Sequence, residues 1–147
     1  CEAFRKSARK RLIQRPRFFF FDTGVWNGLL NNFIVSPDRI GVLFEHLIFN
    51  QIIDSAASKD QNIRISAYRT EHGAEVDFIL EHGGQVFALE VKASSNIGPS
   101  DYRGLKSFAD YFGKKHKRMI AYLGRHSKVI EGVSILPWQD LLRELGL

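Results

Sequence analysis

The sequence is poor in cysteine: Cys1 is the single one among 147 residues. One thiol excludes an internal disulfide framework and any zinc site built from several cysteines. Long apolar runs are also missing, since none approaches the ~20 residues of a membrane span, and no apolar segment at the start is long enough for a signal peptide. We therefore expect a cytoplasmic protein that does not enter a membrane.

Acidic residues are nearly absent from the first part of the chain. Residues 1–17 hold seven basic side chains and one acidic side chain, although the whole chain carries a net charge of only +5. Such an arm is suited either to contacts with a nucleic-acid backbone or to a solvated linker. Because the chain begins with Cys1 and not with Met, we expect a fragment. We expect residues 1–35 to form a basic extension with a strand and turn, linked to a missing upstream region, and residues 36–147 to form one domain.

Hydrophobic periodicity predicts the order helix, three strands, helix, strand. Ser36 and the proline after it predict the start of a helix that runs to about residue 55. The strands are expected at 18–21, 63–69, 74–81, 85–92, 118–123 and 133–136, and the other helices at 25–31, 101–112 and 137–145. Hairpins followed by a strand-helix-strand crossover predict an α/β fold with a mixed sheet flanked by helices.

Two neighbouring predicted strands contain charges at Asp77, Glu90 and Lys92. A lone buried carboxylate costs several kcal/mol unless it is paired or bound to a cation, and residues 90 and 92 share one strand face. If Asp77 and Glu90 reach one ion, they suit Mg²⁺ (or Mn²⁺), with Glu45 completing the set. Lys92 would then orient a water or stabilise developing charge. The alternative is a set of solvated surface pairs, with Glu45 bound to a cation such as Arg69.

This pattern resembles the PD-(D/E)XK nuclease superfamily, the restriction-endonuclease-like fold. An acid on a helix (Glu45), an aspartate on a strand (Asp77) and Glu90-Val91-Lys92 on the next strand match its motif. The predicted order of elements is similar to that family's αβββαβ core. The resemblance implies that Asp77, Glu90 and Lys92 are catalytic and that Glu45, Asp77 and Glu90 bind the metal.

A resemblance over nearly the whole chain is to a bacterial and archaeal domain of unknown function that follows an AAA-type P-loop ATPase. Six segments carry it: residues 20–25, 41–45, 68–70, 75–78, 89–92 and 136–138. The chain has no P-loop motif, so we expect no ATP site in this fragment. The resemblance implies that the ATPase lies upstream in the same polypeptide.

These observations predict a nuclease-like domain that hydrolyses DNA with Mg²⁺. Exposed cations near the predicted site, Arg69, Arg103 and Lys106, are candidate nucleic-acid contacts or ordinary ion pairs. The expected partners are DNA, the upstream ATPase and, as an option, a second copy in a homo-oligomer. The rival hypothesis is a non-catalytic module that binds nucleic acid or a partner and regulates the ATPase.

A remote alternative is a homodimeric aspartic protease. Asp22-Thr23-Gly24 matches the active-site tripeptide of that class, and each chain of a dimer would contribute one aspartate. Against it, such enzymes are nearly all β, whereas this sequence has several helix signals. The simpler interpretation of Asp22 is a turn residue that caps the following helix.

Overall fold

The computed structural model describes residues 17–147 and the short strand at residues 2–3. Most of the predicted basic arm, residues 4–16, lies outside the described residues. In the described part, seven strands form one sheet in the order β1-β2-β3-β4-β5-β7-β6. The strands are β1 (Glu2–Ala3), β2 (Arg64–Arg69), β3 (Glu75–His82), β4 (Gln85–Lys92), β5 (Lys117–Tyr122), β6 (Lys128–Ile130) and β7 (Val133–Pro137).

Four α-helices belong to the same described region, and single 3₁₀ turns precede two of them. The helices are α1 (Thr23–Leu29), α2 (Ile40–Ser58), α3 (Arg103–Phe112) and α4 (Leu141–Leu145), with 3₁₀ turns at Pro99–Tyr102 and Trp138–Asp140. None of these helices combines the length and the apolar character that crossing a bilayer requires.

The topology confirms the predicted mixed sheet. Strands β2, β3 and β4 are antiparallel neighbours. The chain then crosses over through α3, so that β5 lies parallel to β4, and β7 lies parallel to β5. The order α2, β2, β3, β4, α3, β5 is the expected order of helix, three strands, helix, strand. The fold is therefore a mixed α/β sheet flanked by helices.

The sheet is covered on both faces. On one face, α2 and α4 bury an apolar cluster that includes Ile48, Phe78 and Leu89. On the other face, α3 buries a second cluster that includes Leu105 and Ile79. Because successive side chains of a strand point to opposite faces, β3 and β4 contribute to both clusters. Their sequences are therefore nearly continuous apolar runs.

The start of α3 lies unusually close to the sheet. A Cβ atom on Gly104 would be 1.7 Å from the backbone oxygen of Glu75, the first residue of β3. Only glycine allows this approach, because any larger residue would overlap the strand backbone. The contact therefore fixes the start of β3 relative to α3.

Three local predictions were wrong. Residues 18–21 do not form a strand, and Phe18 and Phe21 are 85% and 79% exposed. Among the four phenylalanines at 18–21, Phe19 is the one that packs into the α2 cluster. Helix α2 begins at Ile40 and not directly after Ser36. Residues 37–39 form a turn instead, and the backbone amides of Arg39 and Ile40 donate hydrogen bonds to the backbone oxygen of Ser36. Strand β6 was not predicted, since its three residues are exposed and are ordered by pairing with β7.

Candidate active site

A β-bulge in β3 changes the direction of the Asp77 side chain. Strand β2 pairs Ser66 with Ile79 and Tyr68 with Val76, so two residues of β3, Asp77 and Phe78, lie opposite one residue of β2. The bulge reverses the alternation: Val76 packs in the α3 cluster, while Phe78 packs in the α2 cluster. Bulges commonly redirect a side chain beside a functional site.

The sheet divides between β3 and β4 at the same place. Their pairing runs from the hairpin turn at His82 and Gln85 to Phe78 and Leu89. Beyond that point β3 stays with β2, whereas the last residues of β4, starting at Glu90, stay paired with β5. We call this region the open end of the hairpin. Asp77 bridges it, because its Oδ2 accepts a hydrogen bond of 2.9 Å from the backbone amide of Val91.

Glu90 and Lys92 occupy the β4 side of the open end. By strand alternation they share the face that carries Ala88 and packs against α3. Lys92 Nζ lies 2.8 Å from Glu90 Oε1 and 3.8 Å from Asp101 Oδ1. Asp101 is itself held by a 2.8 Å hydrogen bond from the amide of Gly98. The ammonium group is thus fixed between two carboxylates.

Glu45 approaches Asp77 from the other side. It projects from α2, and its Oε2 accepts a 2.6 Å hydrogen bond from Arg17 Nη2. The second nitrogen of the same guanidinium, Nη1, lies 3.5 Å from Asp77 Oδ1. Arg17 therefore links the helix acid to the strand acid. The cation that pairs with Glu45 is Arg17 and not Arg69, which pairs with Glu75 at 3.1 Å.

The carboxyl groups of Glu45, Asp77 and Glu90 all have raised pKa values, because burial outweighs the effect of the neighbouring positive charges. Burial, then the neighbouring Asp77, raise the pKa of Glu90 to about 8 and that of Glu45 to about 7, although Lys92 and Arg17 act in the opposite direction. Burial also raises the pKa of Asp77, against the Val91 amide and both cations. Burial alone would lower the pKa of Lys92, but Glu90 and its other acidic neighbours raise it overall. Asp77 is the group that couples the two sides.

The geometry bears on the expected metal. Across the part of the chain that the structure describes, no three acidic, histidine or cysteine side chains gather closely enough to hold an ion by themselves. However, Mg²⁺ usually takes one or two carboxylates and completes its shell with water and phosphate oxygens. Glu90 Oε2 is a buried oxygen without a hydrogen-bond partner, on a side chain that is 8% exposed. The residues at the open end thus fit a two-carboxylate site at Asp77 and Glu90, with Glu45 beyond it.

Two of the three predicted nucleic-acid contacts, Arg69 and Arg103, lie at the same end of the sheet. Arg69 ends β2, and Arg103 begins α3 and donates a 3.5 Å hydrogen bond to the backbone oxygen of Gly73 in the turn between β2 and β3. Lys106 lies one turn further along α3 and pairs with Glu131 at 2.7 Å. All three cations are exposed. Arg69 and Arg103 are near the open end, whereas the partner of Lys106 lies just before β7, towards the other end of the sheet. None of the three cations is part of the carboxylate cluster as described.

Asp22 has a structural role. Its Oδ1 accepts a 2.8 Å hydrogen bond from the backbone amide of Val25, and it is the N-cap of α1. This confirms the interpretation of Asp22 as a capping residue. An exposed cap on a mixed α/β fold gives no support to the aspartic-protease alternative.

Sequence reasoning missed Arg17. It counted as one of seven basic residues in the N-terminal arm, and its partners are 28 and 60 positions away. The available signal was indirect: two buried acids without an assigned cation imply a basic partner somewhere in the chain. Nothing in the local pattern selects Arg17 from the other basic residues of that arm.

Comparison with known proteins finds a match to a family that is described without an activity. The family described as Domain of unknown function (DUF4143) matches residues 40–141, from the first residue of α2 to the first residue of α4. The match covers more than half of the chain, so the chain belongs to this family. The matched region includes Glu45, Asp77, Glu90 and Lys92. A search among curated proteins finds no match.

Proposed function

We propose that this domain hydrolyses phosphodiester bonds of DNA with Mg²⁺ or Mn²⁺ held by Asp77 and Glu90. The observation that carries the proposal is the open end, where β3 and β4 part and where the buried Glu90 and the half-buried Asp77 and Lys92 lie. A further support is the resemblance of Glu45, Asp77 and Glu90-Val91-Lys92 to the PD-(D/E)XK motif on an αβββαβ, restriction-endonuclease-like order of elements. The resemblance also suggests an AAA-type ATPase upstream in the polypeptide.

The residues have distinct roles in this proposal. A bound divalent ion would supply Lewis-acid stabilisation of the phosphate and of the attacking water. Asp77 and Glu90 provide the hard oxygen ligands, and Glu45 adds negative charge behind Asp77. Lys92 stays protonated beside its acidic neighbours, so it donates hydrogen bonds and stabilises charge but does not act as a base.

The reaction needs no reactant besides water. The oxygen of water forms a new bond to phosphorus and gives up a proton to solvent. The bond between phosphorus and one deoxyribose oxygen breaks, and that oxygen takes up a proton from solvent. Arg69 and Arg103, at the same end of the sheet, would contact backbone phosphates on either side of the cleaved bond. Lys106 would extend this contact along α3.

The second candidate is a non-catalytic module that binds nucleic acid or a partner and regulates the ATPase. One observation favours it: every charged side chain of the cluster already has a partner, Arg17 for Glu45 and Asp77 and Lys92 for Glu90. Such an ion-paired network can serve structure alone. The two candidates differ in whether the domain cleaves DNA.

A cleavage assay on supercoiled and single-stranded DNA separates the candidates. The wild type is compared with Asp77→Asn and Lys92→Met in Mg²⁺, in Mn²⁺ and in chelator. We expect cleavage that depends on the ion and falls about 100-fold or more in each variant, since each loses several kcal/mol of transition-state stabilisation.

The controls are matched to the two variants. Glu81→Gln alters a carboxylate on the same strand as Asp77 but at the hairpin turn, and Lys128→Met alters an exposed lysine on β6. Both should cleave as the wild type does. Equal cleavage by all five proteins would identify a contaminating nuclease. DNA binding without cleavage, independent of the ion, would favour the regulatory module.

A further inference from the structure

Arg17 lies where a cation would be expected. Its guanidinium spans the space between Glu45 Oε2, at 2.6 Å, and Asp77 Oδ1, at 3.5 Å. The other oxygen of Asp77 accepts the hydrogen bond of the Val91 amide. Oδ1 is the Asp77 oxygen that faces Arg17, so it is the oxygen at which Arg17 and a further positive charge would meet.

The ring of Phe19 anchors the segment that carries Arg17. Phe19 stacks on Phe49 with ring centroids 4.2 Å apart and also contacts the rings of His46 and Phe78. The two phenylalanines nearest to the charge differ sharply, since Phe18 is exposed and Phe19 packs into the α2 cluster. One inserted ring and one ion-paired side chain, two positions apart, hold residues 17–19 on the body of the domain.

Two cations cannot share Asp77 Oδ1 without a penalty. A guanidinium carries one delocalised charge and binds carboxylates through hydrogen bonds, whereas a divalent ion carries twice that charge and binds the oxygen directly. Like charges only a few ångströms apart repel each other strongly in a partly buried site. Binding of a divalent ion at Asp77 is thus expected to weaken the contact with Arg17.

We propose that residues 17–19 form a latch that competes with a divalent cation for Asp77. In the closed state Arg17 bridges Glu45 and Asp77, and Phe19 fills its place beside Phe49. In the open state the ion takes Asp77 Oδ1, and Arg17 leaves. The inference rests on the proposed function in that it needs a divalent cation at Asp77, but it does not need catalysis.

Calorimetric titration of the metal-free protein with Mn²⁺ tests the latch. Arg17→Met removes the competing charge, and Phe19→Ala loosens the segment but keeps the charge. We expect both variants to bind Mn²⁺ about 3- to 10-fold more tightly than the wild type, a range set by the modest free energy of a half-exposed ion pair. Phe18→Ala is the matched control, since its exposed ring should leave the affinity unchanged.

The outcomes separate this inference from the proposed function. Equal or weaker binding in Arg17→Met and Phe19→Ala would overturn the latch but leave the metal site in place. Absence of Mn²⁺ binding in all four proteins would overturn both proposals. Because Arg17→Met leaves two half-buried acids without this cation, circular dichroism must show that each variant is folded, and Phe19→Ala gives the answer if Arg17→Met is not.

Limited proteolysis of the wild type gives a readout that needs no variant. Trypsin cleaves after arginine, and the bond after Arg17 is protected while its side chain is bound to Glu45 and Asp77. We expect Mn²⁺ to increase the fragment that begins at Phe18, as measured by mass spectrometry, while cleavage after the exposed Arg125 stays constant. Unchanged or slower cleavage after Arg17 at saturating Mn²⁺ would contradict the latch.

Discussion

The two ends of the β3–β4 hairpin are built from the same strands but differ in backbone geometry. At the turn, Gly83 and Gly84 adopt positive φ angles of 56° and 73°, and His82 pairs with Gln85. This is the geometry of a tight two-residue hairpin turn. At the open end the strands part, a bulge redirects Asp77, and a side chain replaces a backbone acceptor.

The charges at the two ends differ in the same way. Arg64 and Glu81 form a pair of 3.8 Å near the turn, and the Glu81 side chain is 39% exposed. Glu90 and Lys92 form a pair of 2.8 Å at the open end, where Glu90 is buried. Solvent screens the first pair, whereas the second perturbs the pKa of both partners. Perturbed pKa values of this kind cluster at functional sites and also occur in structural ion-pair networks.

The largest effect on stability is expected where α3 contacts the open end. Gly104→Ala places a Cβ atom against the backbone of Glu75, so we expect a loss of about 3 kcal/mol in the free energy of unfolding. Gly41→Ala is the control, since a Cβ on this helical glycine meets open space, and it should be neutral or stabilising by up to ~1 kcal/mol. Urea denaturation measures both. Equal values would mean that α3 adjusts freely and does not fix β3.

The next effect is a pH dependence at Glu90 in chelator. Its pKa is about 8 in the folded protein against an ordinary value of 4.5, so its stabilising contribution is present below pH 4.5 and is lost as the pH rises through about 8. Glu90→Gln cannot lose a proton. We therefore expect this variant to gain on the order of 2 kcal/mol relative to the wild type between pH 5 and pH 7.

The matched variant at the turn end is Glu81→Gln, on the neighbouring strand. Its difference from the wild type should stay flat over the same pH range in urea denaturation. If the Glu90→Gln difference were equally flat, or had the opposite sign, the two ends would be electrostatically alike.

The smallest effect belongs to the ion pair at the turn. Arg64→Met removes one partner of an exposed pair, and such pairs contribute about 0–1 kcal/mol. We expect a change of less than about 0.5 kcal/mol that disappears in high salt, measured by denaturation at low and high ionic strength. A larger or salt-independent change would show that the turn end is also under electrostatic strain.

The elements that sequence reasoning predicted well are those specified locally. Strand β4 was expected at 85–92 and is found at Gln85–Lys92, because a two-glycine turn and a continuous apolar run define both of its ends. The crossover through α3 follows from a strong apolar stripe and from the rules of chain connection. The candidate residues on β3 and β4 were identified because charges inside apolar strands are unusual.

The features that sequence reasoning missed depend on contacts between distant segments. The bulge at Asp77 is visible only in the pairing with β2, and the partner of Glu45 comes from outside the matched family region. Phe19 illustrates the same limit. An apolar run shows that some ring is buried, but only the surface between α2 and β3 determines that Phe19 is inserted and Phe18 is not.

The most direct test of the central claim is the position of a bound ion. In a crystal of the protein soaked with Mn²⁺, we expect an anomalous difference peak at about 2 Å from carboxylate oxygens of both Asp77 and Glu90, the ligand distance of a small divalent ion. At the other end of the hairpin, Glu81 should carry no peak. A peak at exposed acids such as Glu81 with none at the open end would contradict the account.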